Sequence, residues 1–476
     1  MLDWLALALV TVGAAAPRLV GLSRPIGQVF DEIFYARNAC RYVIGSEQVC
    51  GIDELASRAH PPLGNWLIGT GIRIFGFEPV GWRIAAAVAG ILGVALTFML
   101  ARHLLRGLTP QSATIGAFAA GGLLATDFLH LVQSRTAMLD VFVTLFVIAA
   151  ILFVALDRDR PRDRGLLIDR LTLGRPWRMA AGAALGAATA TKWSGAYVAL
   201  AVIGLTIAWE IGRRRDARGW WSATLRAVRQ EAPRSLVLLA IIPVLVYMAS
   251  YIGRMPGELI GLPWREGTVW RGIFEHQRSM LDFHTALGGH HPYESPPWSW
   301  LLLKRPVAYF FTEEGSALRE IVAIGNPLVW WTGILAVLVI GLEWARRGAS
   351  HSAPAVVVLA AVLATYLPWL ILSGSRSQVF IWYVLPTIPF LCVALGLLAA
   401  WAWRWVAGRV AVGVAAVAVL ATFVFFVPLL TALPLSRDDW ALRIWFRDCD
   451  RRGATALHLP DDRIDSGPPP EGWCWI

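Results

Sequence analysis

Two adjacent acids, Asp31 and Glu32, follow Phe30 shortly after the first apolar segment of the chain. Neighbouring carboxylates are costly to desolvate and repel each other, so one of them can have a raised pKa, which suits a general base. A solvated loop pair or a helix N-cap would also place acids here. If the pair does chemistry, we expect it to take a proton from an acceptor hydroxyl.

Isolated cations lie in two short segments between apolar stretches. Lys192 occurs in Thr191–Gly195, between two Gly/Ala-rich segments, and Arg376 occurs in Ser373–Gln378. Such a cation can extend its charge along an apolar surface towards water. It can equally bind an anionic group, and a lipid phosphate is the simplest candidate at a membrane surface.

A third charged segment runs from Ser134 to Asp140 and contains Arg135. An ionisable group at the end of an apolar helix is expensive, and it is usually paired or functional. Arg135 and Asp140 can pair with each other, or they can bind substrate. The sequence leaves both alternatives open.

The segment His60–Trp66 begins with a histidine and two prolines. Proline ends a preceding helix and is tolerated in the first turn of the next one. We therefore expect a short helix over 63–76 that lies along the interface or re-enters the membrane, with His60 near Asp31. A turn with an incidental histidine would fit the same residues.

Acids in one segment and cations in others indicate transfer of a group from a lipid phosphate. The acid would deprotonate the acceptor, and the cations would stabilise the departing phosphate. A monophosphate leaving group with fixed cations requires no metal, and no spacing of Cys and His residues indicates a zinc site. We therefore expect no cofactor apart from the lipid-linked donor.

Composition identifies the elements that must position these residues. Of the 476 residues, 57% are hydrophobic and only 16% are charged, and the mean hydropathy is +0.56. A soluble protein would have roughly a quarter of its residues charged. The 24 Trp residues suit two membrane interfaces. The net charge is +10, but the basic residues lie between apolar segments, so the charge does not indicate binding of nucleic acid. These features predict an all-α polytopic membrane protein in contact with lipid.

About twenty apolar residues are needed to cross a bilayer. The sequence contains eleven such segments, of which the fifth is short. They are 3–20, 82–104, 113–130, 138–156, 179–191, 194–211, 235–252, 326–344, 354–372, 379–400 and 408–430.

Arginine-rich connections set the expected orientation, because basic residues concentrate in cytoplasmic loops. This rule places the N-terminus in the cytoplasm, and it places 21–81, 253–325 and the tail 431–476 outside. The large outer segments would assemble a site with the helices of 1–430, the predicted catalytic domain. The arginines of the inner connections are Arg158, Arg160, Arg162, Arg164, Arg170, Arg175, Arg178, Arg213, Arg214, Arg215, Arg218, Arg226, Arg229, Arg234, Arg346, Arg347, Arg404 and Arg409.

Four of the five cysteines would lie outside. Cys392 lies within the tenth apolar segment and is expected to be a small core residue. An even number in an oxidising compartment indicates disulfides. Three pairings are possible, and the local ones, Cys40–Cys50 and Cys449–Cys474, are favoured.

Taken together and in order, these motifs resemble the bacterial, actinobacterial type of protein O-mannosyltransferase, which belongs to the GT-C class of membrane glycosyltransferases. The resemblance covers roughly residues 15–450. It implies a GT-C fold with about eleven transmembrane helices, outer-face loops and interfacial helices. The segments that carry it are Phe30–Glu32, His60–Gly64, Ser134–Asp140, Lys192–Gly195, Ile324–Pro327 and Tyr383–Pro386.

The resemblance implies a reaction in the bacterial plasma membrane, with the site at the extracytoplasmic face. The donor would be polyprenyl-phosphate mannose, and the acceptors would be Ser or Thr hydroxyls of secreted proteins, for which delivery by the secretion translocon is a compatible route. The transfer would invert the configuration, from a β-linked donor to an α-linked product.

The resemblance also implies roles for individual residues. Asp31 would be the base. Glu32 would orient the acceptor or tune Asp31. Arg135 and Lys192 would lie near the donor phosphate, with Arg376 as a weaker candidate. His60, Asp140 and Tyr383 would line the site, and Arg83 would be structural.

Two features depart from the family pattern. Asn65 stands where a lysine usually follows the His-Pro-Pro-Leu-Gly motif, so one expected cation is missing. Residues 253–325 are too few to hold the β-trefoil domain of eukaryotic relatives. Two rival functions remain at this stage. One is a GT-C enzyme that moves arabinose or aminoarabinose from a polyprenyl phosphate to a glycan or lipid. The other is a transporter, although no internal repeat is evident.

Overall fold

The structure is a computed structural model, and the predicted site and disulfide residues Arg376, Cys449 and Cys474 lie outside the residues that it describes. The same holds for Arg162, Arg164, Arg170, Arg215 and Arg218 of the arginine-rich connections. The tail beyond residue 445 also lies outside them. The described residues are 1–52, 55–160, 173–214, 219–252, 254–255, 258–259, 269–286, 293–347, 353–372 and 378–445.

Helices account for most of the described chain. A π-helical turn forms at Val237–Ile241, and 3₁₀ turns form at Pro297–Leu302 and Ile381–Thr387. The helices are α1 Leu2–Leu19, α2 Glu32–Val43, α3 Glu47–Cys50, α4 Leu63–Phe75, α5 Pro79–Leu104, α6 Pro110–Ala125, α7 Phe128–Arg135, α8 Asp140–Asp159, α9 Pro176–Thr191, α10 Gly195–Arg214, α11 Trp220–Leu236, α12 Ile242–Ala249, α13 Val269–Ala286, α14 Pro327–Arg347, α15 Ala353–Leu372, α16 Ile388–Ala402, α17 Val406–Leu430 and α18 Arg437–Ala441.

Every predicted apolar segment coincides with helix. In the described part of the chain, nine helices are long and apolar enough to cross a membrane, and ten if α6 and α7 are taken as one bent span. The predicted span that is missing from this count is the fifth, 179–191, which is α9 and has only 16 residues. Since about twenty residues are needed to cross the hydrocarbon core, α9 does not qualify by length.

Asp127 marks the break between α6 and α7, which meet at 59°. Its carboxylate accepts a bond from the backbone N–H of His130 at 2.9 Å and thus caps α7. The same carboxylate accepts a bond from Trp330 Nε1 at 2.6 Å. The predicted straight span 113–130 is therefore two helices, and the second one carries Arg135 to the end of α1.

The first outer segment folds into three short helices, α2, α3 and α4. The disulfide Cys40–Cys50 ties the end of α2 to α3, which confirms this pairing. The predicted short helix after the two prolines is present as α4. Cys392 is buried, as expected for a core residue.

Strands in the second outer segment were not predicted. Among the described residues they form two antiparallel hairpins, β1 with β2 (Arg254–Met255 and Glu258–Leu259) and β3 with β4 (Val307–Glu314 and Ala317–Ala323). Most side chains of β3 are buried on both faces. A strand buried in this way reads as a continuous apolar stretch, so it lacks the alternation that identifies a strand.

The described part of the C-terminal tail packs on this hairpin. Leu435 and Leu318 exchange backbone hydrogen bonds of 2.8 and 2.9 Å, and Trp440 on α18 donates to Glu320 at 2.7 Å. The first residues of the tail thus form part of the outer surface built by β3 and β4.

A cluster of buried charges joins four helices at the opposite end of the bundle. Arg178 on α9 contacts Asp157 at 2.9 Å and Glu231 at 3.2 Å, and Arg175 contacts Glu210 at 3.2 Å. All five side chains are nearly inaccessible. We name these residues the inner charge cluster, which fastens the ends of α8, α9, α10 and α11.

Candidate active site

Glu32 is a fully buried anchor at the start of α2. Its carboxylate forms a two-point ion pair with Arg83, with both distances 2.8 Å. It also accepts bonds from the backbone N–H groups of Val29 and Ala137, each at 2.9 Å, and from Trp82 Nε1 at 3.3 Å. The expectation that Glu32 orients the acceptor is corrected, because its oxygens are turned into the protein and accept bonds there.

Arg83 completes this anchor from α5. Its guanidinium donates to the backbone carbonyls of Leu22, Pro25 and Gly27 at 3.3, 2.9 and 2.8 Å. The guanidinium of Arg83 thus binds both the carboxylate of Glu32 and the backbone of the first outer segment. The geometry fits the structural role that the resemblance implied for Arg83.

Asp31 has the opposite environment, although it is the adjacent residue. It is partly exposed and stands at the N-cap of α2, where its carbonyl accepts bonds from Phe34 and Tyr35 at 3.0 and 3.1 Å. The N-terminus of a helix favours a negative charge. Because successive residues of a helix point in different directions, the burial of Glu32 is compatible with the partial exposure of Asp31. The positive charge of Arg83 offsets Glu32, which weakens the predicted repulsion between the two acids.

The charge of Asp31 affects the pKa values of two buried tyrosines, Tyr35 and Tyr309. Burial raises the pKa of Tyr35 and of Tyr309 well above the ordinary value, and the charges of Asp31 and Asp140 raise both further. Tyr383 also contributes to both shifts. The two acids therefore lie close enough to Tyr35 and Tyr309 to affect their ionisation. Tyr35 belongs to the first outer segment and Tyr309 to the second.

Lys192 and Asp140 form a buried ion pair next to this region. The Lys192 amine lies 2.9 and 3.0 Å from the two carboxylate oxygens of Asp140. It also lies 4.2 Å from the centre of the Tyr383 ring, which stacks on Trp369 at 4.7 Å. Asp140 thus pairs with Lys192 rather than with Arg135, and the cation is held in one place instead of extending towards water.

Arg135 occupies a different position from the predicted one. Its guanidinium donates to the carbonyls of Pro17, Val20 and Gly21 at 2.6, 2.8 and 2.9 Å. The last carbonyls of a helix lack partners within the helix, and a cation at that end satisfies them. The expectation of a phosphate ligand is corrected: the bend at Asp127 turns α7 so that Arg135 caps α1.

A row of aromatic rings connects the two sides of the site. The ring of His60 lies 5.9 Å from that of Tyr35 and 5.6 Å from that of His284, which lies 6.2 Å from Trp193. Trp193 directly follows Lys192 in the chain. His60 therefore lies close to Tyr35, which is one helical turn from Asp31. His284 was missed, because the second outer segment carried no recognisable motif.

The arrangement has the parts of a group-transfer site without a cluster suited to a metal. Within the described ranges, no group of three or more His, Cys, Asp or Glu side chains is placed to hold a metal ion. Asp31 supplies a partly exposed carboxylate, Lys192 a fixed cation, and the aromatic row a surface between them. Such a site can deprotonate a nucleophile and stabilise a departing anion.

Family models cover nearly the whole chain. Residues 8–253 match the dolichyl-phosphate-mannose-protein mannosyltransferase family, and residues 269–449 match the C-terminal four-transmembrane region of protein O-mannosyltransferases. The short gap between the two matches, residues 254–268, lies in the second outer segment. These matches favour a mannosyltransferase and argue against the alternative that the chain is a transporter.

Curated relatives give the same result over more than nine-tenths of their length. The polyprenol-phosphate-mannose–protein mannosyltransferase of Mycobacterium tuberculosis is 31% identical, and the alignment covers 93% of this chain and 91% of the relative. The Mycolicibacterium smegmatis protein of the same name is 32% identical, with coverages of 93% and 92%.

Solved structures share the fold at lower identity. The Saccharomyces cerevisiae Pmt1–Pmt2 complex bound to its sugar donor aligns with a TM-score of 0.73 and 16% identity, covering 94% of this chain and 92% of that one. ArnT from Cupriavidus metallidurans aligns with a TM-score of 0.54 and 18% identity, covering 89% and 76%. These alignments confirm the predicted GT-C fold. The chain therefore belongs to the protein O-mannosyltransferase family of membrane glycosyltransferases.

Proposed function

We propose that the chain transfers mannose from polyprenyl-phosphate mannose to Ser or Thr hydroxyls of proteins at the outer face of a bacterial plasma membrane. The observation that carries this proposal is the contrast between the partly exposed Asp31 and the buried cation Lys192 across one ring-lined site. The donor and the protein acceptor are those in the names of the mycobacterial relatives.

Asp31 acts as the general base in this account. The acceptor oxygen attacks the anomeric carbon of mannose while its proton passes to the Asp31 carboxylate. The bond from that carbon to the phosphate oxygen breaks, and its electron pair leaves with polyprenyl phosphate. Attack opposite the leaving group inverts the configuration, from β in the donor to α in the product. The contacts between Glu32 and Arg83 keep Asp31 at the N-terminus of α2.

Lys192 stabilises the phosphate that leaves. An ammonium group has three N–H donors, so a phosphate oxygen can bind while Asp140 continues to hold the amine. The ion pair and the face of Tyr383 fix the cation before the donor arrives. Fixed charge stabilises a developing anion without reorganisation. Arg376 stays a candidate second cation, and Arg135 is withdrawn because it caps α1.

The most direct test of this function supplies the purified protein with radiolabelled polyprenyl-phosphate mannose and a Ser/Thr-rich peptide. We expect label on the peptide in an α-linkage, which α-mannosidase removes. A matched peptide with Ala at every Ser and Thr should stay unlabelled. Transfer from polyprenyl-phosphate arabinose or aminoarabinose to a glycan or lipid, without transfer of mannose, would contradict the proposal.

The orientation is a separate part of the proposal. We infer from the arginine-rich connections that α1 has its N-terminus in the cytoplasm and that α18 lies outside. A cysteine at Trp220 should resist a membrane-impermeant thiol reagent added to intact cells, and a cysteine at the exposed Asp438 should react. The reverse pattern would move the site to the cytoplasmic face.

A further inference from the structure

Phe30, the residue before the proposed base, has an unusual backbone conformation. Its φ angle is +48°, in the left-handed region that residues with a Cβ rarely adopt. Its ring stacks on Tyr309 with centres 4.3 Å apart and planes 5° apart, and it meets the edge of Trp382 at 5.2 Å. These ring contacts oppose a return of Phe30 to an ordinary conformation.

Tyr309 is itself fixed from other parts of the chain. Gln133 on α7 donates to its hydroxyl at 2.6 Å, and both side chains are buried. Trp382 meets the Tyr309 ring edge-on at 5.8 Å and stacks on Phe380 at 4.3 Å. Strand β3, helix α7 and the 3₁₀ turn Ile381–Thr387 thus meet at one aromatic stack, which we define as Phe30, Tyr309 and Trp382.

We propose that Tyr309 is a positioning residue, whose ring holds Phe30 in the left-handed conformation and thereby aims the Asp31 carboxylate. The inference rests on the proposed role of Asp31 as base. Glu32 fastens the following residue to Arg83, and Tyr309 fastens the preceding residue to the β3–β4 hairpin. The base is held between these two anchors, one from each neighbour in the chain.

This arrangement gives the second outer segment a part in the reaction without direct contact with substrate. A misplacement of about 1 Å at a reacting group can lower a rate by about 100-fold. Loss of the flat face of Tyr309 should therefore slow the chemical step more than it weakens donor binding. The hydroxyl contact with Gln133 should matter less, because the stack depends on the ring.

The test compares Tyr309→Leu with Tyr309→Phe in the purified full-length protein, with rates referred to the folded fraction. Leucine keeps bulk but has no flat face, and we expect kcat to fall about 10- to 100-fold with the donor KM within about twofold. Phenylalanine keeps the ring and should restore kcat to within about threefold of the native protein. Equal losses in both variants would overturn the proposal, as would a native kcat in Tyr309→Leu.

Phe311→Ala is the matched control on the same strand. Phe311 is buried, but its ring packs against Trp440 at 6.1 Å rather than against the stack. We expect its kcat to stay within about threefold of the native value. A loss equal to that of Tyr309→Leu would mean that only the integrity of the hairpin matters, and it would overturn the proposal.

A double substitution separates this inference from the proposed function. Phe30→Leu and Tyr309→Leu should be non-additive, because either change alone removes the same stack. If the double variant loses kcat by the product of the two single losses, the coupling is contradicted. Phe30→Leu serves as the test if Tyr309→Leu does not fold. Retention of activity by Asp31→Asn would instead remove Asp31 as the base, whatever the result at Tyr309.

Discussion

Charged side chains form two groups at opposite ends of the helices, and their environments differ. The inner charge cluster shares Arg175 and Arg178 among three carboxylates, and every member is buried. The outer site has one compact pair, Lys192 with Asp140, and beside it the partly exposed Asp31. One group is closed to solvent, and the other includes a partly exposed acid.

The difference separates charge that stabilises from charge that reacts. A buried ion network is costly to disturb, because removal of one partner leaves another buried without compensation. A catalytic acid must instead exchange protons with a substrate. In the first outer segment two neighbouring acids differ in this way: Glu32 is buried and bound to Arg83, whereas Asp31, the proposed base, is partly exposed.

The largest expected effect on folding comes from breaking the inner charge cluster. Arg178→Ala should lower the free energy of unfolding by about 3–5 kcal/mol, because Asp157 and Glu231 lose a buried partner. Thermal unfolding in detergent measures this change. Arg106→Ala is the control, since Arg106 is half exposed in its pair with Asp159 and should contribute about 1 kcal/mol or less.

If Arg178→Ala leaves stability unchanged while transfer stops, then the inner cluster takes part in the reaction, and the proposed separation between the two regions is wrong. We expect the folded fraction of this variant to transfer mannose within about twofold of the native rate.

The outer region has a covalent link of its own. Opening the Cys40–Cys50 disulfide should cost about 3 kcal/mol in the chain-entropy account of loop closure. Reductant should lower the melting temperature of the native protein. Reductant should have a smaller effect on a variant with Ala at both positions, where only the predicted Cys449–Cys474 bond can still be reduced. A native protein that melts identically with and without reductant would contradict this expectation.

A smaller effect is expected from the cation of the outer site. Lys192→Ala should slow transfer by about 10- to 100-fold, since a charge-assisted contact contributes about 1.5–3 kcal/mol. Inhibition by added polyprenyl phosphate should weaken as well. Lys304→Ala, at an exposed lysine beside Trp298, should leave both quantities unchanged. Unaltered turnover in Lys192→Ala would mean that Lys192 has only a structural role in its pair with Asp140.

The sequence predicted the family fold, the apolar helices and the local disulfide, because these follow from local composition and order. It also located the acid pair, but it could not show which acid is exposed. That choice depends on the direction in which Glu32 meets Arg83, and the two residues are far apart in the chain. The hairpin β3–β4 was missed because burial on both faces removes the alternation of a strand.

The roles of the arginines were the least predictable from the sequence. Arg175 and Arg178 were counted as basic residues of a cytoplasmic connection, yet both are buried among carboxylates of three helices. Arg135 was assigned to a phosphate, yet the bend at Asp127 brings it to the end of α1. A cation pairs with whatever acceptor the tertiary fold brings near it, and spacing along the chain does not contain that information.

The central claim is that Asp31, rather than its buried neighbour, takes the proton from the acceptor. Asp31→Asn keeps the size of the side chain and removes its basicity, so at saturating donor and peptide we expect kcat to fall by about 100- to 10,000-fold. The melting temperature and donor binding should stay at their native values. Retention of more than about a tenth of the native kcat, a smaller loss than base catalysis supplies, would contradict the account.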